Sequence, residues 1–242
     1  MNYWLITAVI CAYIIKGICG FANTLVFSTI LSFRSNNINI TPVELITGFP
    51  SNLIITWKER KSLSSKVWVP LSCLVIVGSI PGTILLKNGD TTLIKIIFGF
   101  TIVFVGMEMF FREVQKEKLT SSKVVLAVIG IISGLLCGLF GIGALLAAYV
   151  SRTTSNSSSF RGNLCIVFLI ENSFRILIYT LTGILNLSVL KLGIQLLPFM
   201  FIGLLIGIFL AKRLKEKLVK KAIIIMLMFS GISLIVNNMI QM

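Results

Sequence analysis

Two glycine-rich stretches hold the residues best suited to chemistry: Lys16-Gly17-Ile18-Cys19-Gly20-Phe21-Ala22-Asn23-Thr24, and Gly138-Leu139-Phe140-Gly141-Ile142-Gly143-Ala144. Each interrupts an apolar run, 3–31 or 124–150, that is too long for one bilayer crossing and too short for two. A helix broken at membrane depth leaves backbone N–H and C=O groups unpaired, at several kcal/mol each, so such a break persists where it lines a cavity or binds something. Glycine there permits positive φ and lets backbone approach a ligand closely. The helix that restarts after the break offers free N–H groups and the positive end of its dipole, which is a site for an anion. The helix that enters the break offers carbonyls, so the net field turns on the angle between the two arms. Glycines also serve plain helix packing. Packing is the reading preferred for Gly78/Gly82 and Gly203/Gly207, and a binding role for the two breaks.

The polar side chains within the apolar runs are few. Lys16 sits beside the first break with no acid near it in sequence. A cation at that depth is expensive unless it is used; Lys16 touches a substrate, snorkels, or pairs with an acid from another helix. Glu171 and Arg175 are one helical turn apart and can form an i,i+4 pair, either as a structural clasp or for gating or coupling. Asn52 and Asn172 occupy similar points of two spans and can donate to a substrate oxygen or bond helix to helix. Glu108 falls at the end of its span and reads as interfacial. The chain has no His, and its five Cys show no paired spacing, so they read as small buried hydrophobes. No cofactor or metal is expected, and no enzyme.

The elements that must position these residues are membrane helices. Of the 242 residues 56% are hydrophobic and only 12% charged, which is too little polar surface for a water-soluble globule. The net charge of +14 would suit nucleic acid if the cations shared a face with aromatics. Instead, 14 of the 22 Lys and Arg fall in three short stretches between apolar runs, at 58–66, 112–123 and 212–221, the pattern of cytoplasmic loops. Full spans are expected near 43–57, 67–86, 93–111, 164–185, 192–211 and 221–240.

The chain also matches itself. At an offset of 125, Gly78, Gly82, Leu85 and Phe104 fall on Gly203, Gly207, Leu210 and Phe229, and at an offset of 121, Gly17, Gly20 and Leu25 fall on Gly138, Gly141 and Leu146. The expected fold is all-α and polytopic, with two inverted repeats, 1–118 and 119–242. Each repeat is a glycine-broken re-entrant hairpin followed by three transmembrane helices. If the broken runs crossed once, the six basic residues at 212–221 would face outside; re-entrance puts all three basic stretches in the cytoplasm and both termini outside. Half-helices of roughly 13 residues reach about 20 Å, so their tips meet near the midplane.

The motifs Gly17-x-x-Gly20-Phe21-Ala22 and Gly134-x-x-x-Gly138-Leu139-Phe140-Gly141-Ile142-Gly143, with Phe160-Arg161 before a span and Gly203-x-x-x-Gly207 within another, resemble the sulfite exporter TauE/SafE family. That resemblance covers nearly the whole chain and implies a carrier of sulfur-containing anions such as sulfite or organosulfonates, usually outward, in a prokaryotic inner membrane. Asn23 and Ala144 stand where the family often has small residues or a further glycine. The expected function is a secondary transporter. Its anion would be held between the tips by Lys16, Gly17, Gly20, Phe21, Ala22, Asn23, Thr24, Asn52, Gly138, Gly141, Ile142, Gly143 and Asn172, with Glu171 and Arg175 in gating or coupling to a proton or sodium ion. The alternatives are an anion channel and a non-transporting membrane scaffold; nucleic acid is not an expected partner.

Overall fold

A computed structural model describes residues 3–32, 40–88, 123–140, 143–154 and 156–239, with scattered positions between 96 and 111. All elements among the described residues are helical: α1 (Tyr3–Cys19), α2 (Asn23–Ser32), α3 (Ile40–Lys58), a 3-10 turn (Arg60–Ser62), α4 (Ser65–Asn88), α5 (Lys123–Phe140), α6 (Ala144–Thr153), α7 (Ser157–Leu181), α8 (Leu187–Arg213) and α9 (Glu216–Met239). Most of the span expected at 93–111, with Glu108, and of the basic stretch after it lies outside the described residues.

Burial is inverted relative to a water-soluble protein. Lys16, Glu44, Asn52, Asn163, Glu171, Asn172 and Arg175 are buried, while Val77, Leu205, Phe209 and Ile225 face outward. Apolar outside and polar inside is the distribution a bilayer selects, because lipid accepts the former and buried partners must satisfy the latter. Among the described residues three helices, Ser65–Ile84, Ser157–Leu181 and Leu187–Arg213, are long and apolar enough to cross a membrane, and Tyr3–Cys19 and Ala127–Gly138 are shorter apolar helices. The chain is a multi-pass membrane protein.

Both interrupted runs break where glycine clusters. The arms are unequal, 17 and 10 residues in the first run and 18 and 10 in the second, so the entering arm spans about 25 Å and the leaving arm about 15 Å. The difference from the equal arms expected arises because Gly20, at φ +87°, and Ala22, at φ +71°, end α1 beyond the middle of the run. In the first pair the chain reverses on itself: the Trp4 indole, at the start of α1, donates to the Ile30 carbonyl near the end of α2 at 2.9 Å.

Packing uses the small residues read from the sequence. A Cβ on Gly78 or Gly82 of α4 would strike the carbonyls of Ile131 and Leu135 on α5. A Cβ on Gly203 or Gly207 of α8 would strike those of Ile10 and Ile14 on α1. These four glycines let two backbones touch, as expected. The long helices α3 and α7 run antiparallel through the middle of the molecule, for Glu44 near the start of α3 meets Arg175 near the end of α7, and Glu59 just past α3 meets Arg161 near the start of α7. Asn156 caps α7 by accepting from the Ser159 N–H at 2.7 Å, and Asn186 caps α8 through the Val189 N–H at 2.9 Å.

Candidate functional site

The two breaks open onto one small cavity lined by Lys16, Ala22, Asn23, Thr24, Glu44, Asn52, Gly143, Phe168, Asn172 and Arg175. Space for the centre of a water molecule amounts to about 20 Å³, on the order of one water. α1 brings Lys16, the first break and α2 bring Ala22, Asn23 and Thr24, α3 brings Glu44 and Asn52, the second break brings Gly143, and α7 brings Phe168, Asn172 and Arg175. The α7 residues share a stripe, because 168, 172 and 175 recur at the helical period, and Arg161 and Cys165 continue it toward the helix start.

Lys16, Arg175 and Glu44 line the cavity, and Glu171 pairs with Arg175 from behind, so the two cations of this cluster stand against two carboxylates, both of them placed on Arg175. The Lys16 ammonium lies 5.7 Å from the centroid of the Tyr13 ring; among the described residues no carboxylate comes within ion-pairing distance of it. Glu44 is otherwise engaged: Asn23 donates to its Oε1 at 2.6 Å, and its Oε2 is 3.8 Å from Arg175 Nη2. Arg175 also donates to the Asn172 side-chain oxygen at 2.8 Å, which leaves the Asn172 amide N–H₂ as a donor, and its Nε is 3.4 Å from Glu171 Oε1. Asn52 Oδ1 and both Glu171 oxygens have no hydrogen-bond partner among the described residues.

Two arginines of α7 reach the carbonyl ends of the entering arms. Arg175 Nη1 donates to the Cys137 carbonyl near the end of α5 at 2.8 Å, and Arg161 Nη1 reaches the Ile18 carbonyl near the end of α1 at 3.5 Å. Each cation masks the negative end of an entering arm. The first turns of α2 and α6, whose leading N–H groups have no intrahelical acceptor, stand at the cavity through Asn23, Thr24 and Gly143.

Residues 5–234, nearly the whole chain, match the family Sulfite exporter TauE/SafE. The chain belongs to the sulfite exporter TauE/SafE family. Membership makes it a membrane transporter of the sulfite and sulfonate exporter type, consistent with a protein that is not an enzyme. No curated protein and no solved structure matches the chain.

Within this TauE/SafE chain, eight of the residues singled out from the sequence line the cavity: Lys16, Ala22, Asn23, Thr24, Asn52, Gly143, Asn172 and Arg175. Others stand beside it. Gly17 abuts the backbone of Gly207 and Ile208, and Gly138 that of Ser79, so both serve close approach. Gly20 supplies the positive φ of the turn and its carbonyl accepts from the Cys165 thiol at 3.4 Å. Phe21 is buried edge-on against Phe160, 6.3 Å between centroids. Glu171 sits behind Arg175, and Gly141 and Ile142 lie outside the described residues. Sequence reasoning missed Glu44 and Phe168. The spacing Glu44-Gly48-Asn52, a polar and small stripe on one face of α3, was the available signal for the first. Phe168 has no such signal, since an aromatic on a membrane helix is ordinary.

Proposed function

We propose that the protein is a secondary transporter of small sulfur-containing oxyanions, binding sulfite or an organosulfonate between the two helix breaks. The observation that carries this reading is the convergence of Lys16, Arg175 and the starts of α2 and α6 on one small cavity. The ammonium and guanidinium would hold the charge, and Asn52 and Asn172 would donate to oxygens. A trigonal or tetrahedral sulfur oxyanion is larger than one water, so the cavity must widen to receive it. A space of about one water supports a carrier over an open channel, which needs a continuous water-filled path.

The alternating movement follows from the repeat. Pairing of α1 with α8 through Gly203 and Gly207 repeats the pairing of α5 with α4 through Gly78 and Gly82, at the same offsets of 121 and 125 that relate the sequences. This correspondence supports two inverted halves, 1–118 and 119–242, exchanging their first helices. Lys58 and Lys212, from two of the basic stretches, line one depression at the same end of the bundle, which supports a cytoplasmic face there and outward termini in a prokaryotic inner membrane. Glu171 and Arg175 take the gating or coupling role, because Arg175 joins the cavity to a carboxylate behind it.

Reconstituted protein should accumulate or release labelled sulfite across a proteoliposome membrane, with saturation. Absence of flux and of binding for sulfite, sulfonates and sulfate alike would sink this reading.

A further inference from the structure

At the end of the bundle where α3 and α8 finish and α7 begins lies a second, wider depression with room for about 500 Å³. Lys58, Arg161 and Lys212 line it with Glu59, and Ser62, Asn156 and Ser158 add side-chain donors. Three cations face one carboxylate there, so the depression attracts anions. Its floor is the Glu59–Arg161 pair, Nη2 to Oε1 at 3.0 Å, which is nine-tenths buried on both sides.

That pair touches the first helix break. Arg161 Nη1 reaches the Ile18 carbonyl at 3.5 Å, and a Cβ placed on Gly20 would meet Arg161 Cγ at 3.0 Å. Ala22, Asn23 and Thr24, just beyond, line the central cavity. Arg161 therefore stands between the depression and the break, touching both. Gly162 lets α7 close on this spot, since a Cβ there would meet Glu59 Cβ at 3.1 Å. A new partner for Glu59 is already in place: Lys58 Nζ is 3.8 Å from the same Oε1 that Arg161 holds.

We propose that the depression is a loading site for the oxyanion substrate, and that the arriving anion displaces Glu59 from Arg161 and so releases the first break. The inference rests on the transport function proposed above. Glu59 moves to Lys58 rather than being stranded, because an unpaired buried carboxylate is costly. Arg161, turned to the anion, lets go of Ile18, and the loop 20–22 is freed to open the central cavity from this side. The Glu59–Arg161 pair is thus the gate on the side of the basic loops.

The test is concentration-dependent sulfite flux in oriented proteoliposomes, measured from each face. Glu59→Gln should lower the half-saturating sulfite concentration several-fold from the basic-loop face alone, because the competitor for Arg161 is gone. Arg161→Gln should raise it several-fold from that face alone. Because Arg161→Gln can disturb folding, the half-buried Lys58→Gln and the exposed Lys212→Gln serve beside it. Each should raise half-saturation from that face, and the effect should fade at high salt. Wild-type flux with half-saturation unchanged in Glu59→Gln and in the lysine variants would overturn the loading site while leaving the transport reading intact. Wild-type protein with no flux at all would instead remove the reading on which it rests. Equal shifts from both faces would also overturn it, since the gate is assigned to one side.

Discussion

Asn23, the first residue after the helix break, donates to Glu44 Oε1 at 2.6 Å. This bond fixes the start of α2 to α3 and leaves Asn23, Glu44 and Lys16 facing one cavity. Replacing Asn23 with Asp would set two carboxyl groups in contact and replace the amide that donates to Glu44 with an acid, adding carboxylate character to the wall beside Lys16. Asn23→Asp should abolish detectable sulfite binding by calorimetry in detergent, whereas Asn23→Ala, which only strips the donor, should cost about 1–3 kcal/mol of fold stability. Equal sulfite affinity in Asn23→Asp and wild type would show that the Asn23 amide and the polarity of this wall do not matter to the anion.

Lys16 is the cavity cation without an ion-pair partner among the described residues. A charge-assisted hydrogen bond to an anion is worth about 1.5–3 kcal/mol, so Lys16→Gln should weaken sulfite binding about tenfold to a hundredfold. Lys16→Arg should restore part of it. Because removing a buried, unpaired cation relieves a desolvation cost, Lys16→Gln should melt no lower than wild type. Unchanged affinity in a folded Lys16→Gln would free Lys16 of this role.

Much of the arrangement could be read from the chain because membrane depth magnifies backbone errors. Glycines at 17, 20, 138 and 143 inside apolar runs had to mark either a break or a close contact; the structure uses Gly20 for the first, Gly17 and Gly138 for the second, and Gly143 for both, at the second break and against Phe168. Nothing in the sequence separates those two uses, since both need only the absence of a Cβ. Lys16, Asn52, Asn172 and Arg175 were legible because polar side chains in hydrocarbon must be gathered together. Glu44 escaped because it stands near the start of its span, where a charge can reach the interface. Arg161 entered as part of a short motif; its reach to Ile18 depends on the crossing of α7 past the first break, which periodicity does not encode.

Glu171 carries a carboxylate whose oxygens have no hydrogen-bond partner among the described residues, with Arg175 Nε 3.4 Å away. If this pair couples substrate movement to protons, Glu171→Gln should keep sulfite exchange between equal compartments yet lose the accumulation driven by a pH gradient. A variant that still concentrates sulfite under that gradient would place coupling elsewhere, and dependence on a sodium gradient in wild type would change the ion.

Gly207 and Gly183 separate packing from backbone conformation. A Cβ on Gly207 would strike the Ile14 carbonyl of α1, while Gly183 has φ +74° and open space around it. Gly207→Ala should push two helices apart at about 1–3 kcal/mol and lower the melting temperature clearly. Gly183→Ala should cost about 1–2 kcal/mol for the left-handed backbone, without altering transport. A Gly207→Ala protein as active and as heat-resistant as wild type would mean that α1 and α8 do not need this approach.

Phe168 stands close against Gly143 at the cavity, because a Cβ on Gly143 would overlap the Phe168 ring. The ring occupies the place where the second break would otherwise admit a side chain, and it lines the cavity on the Arg161 side of Asn172 along α7. Gly143→Ala alone should therefore displace either the ring or the break and reduce flux strongly. Phe168→Leu alone makes room and should widen the cavity, favouring larger organosulfonates over sulfite. Combined, the two changes should recover much of the flux lost by Gly143→Ala, giving a coupling energy of about 0.5–3 kcal/mol in a double-mutant cycle. Additive losses in the double variant would show that the ring and the glycine act independently, and that the cavity wall is set by something other than their contact.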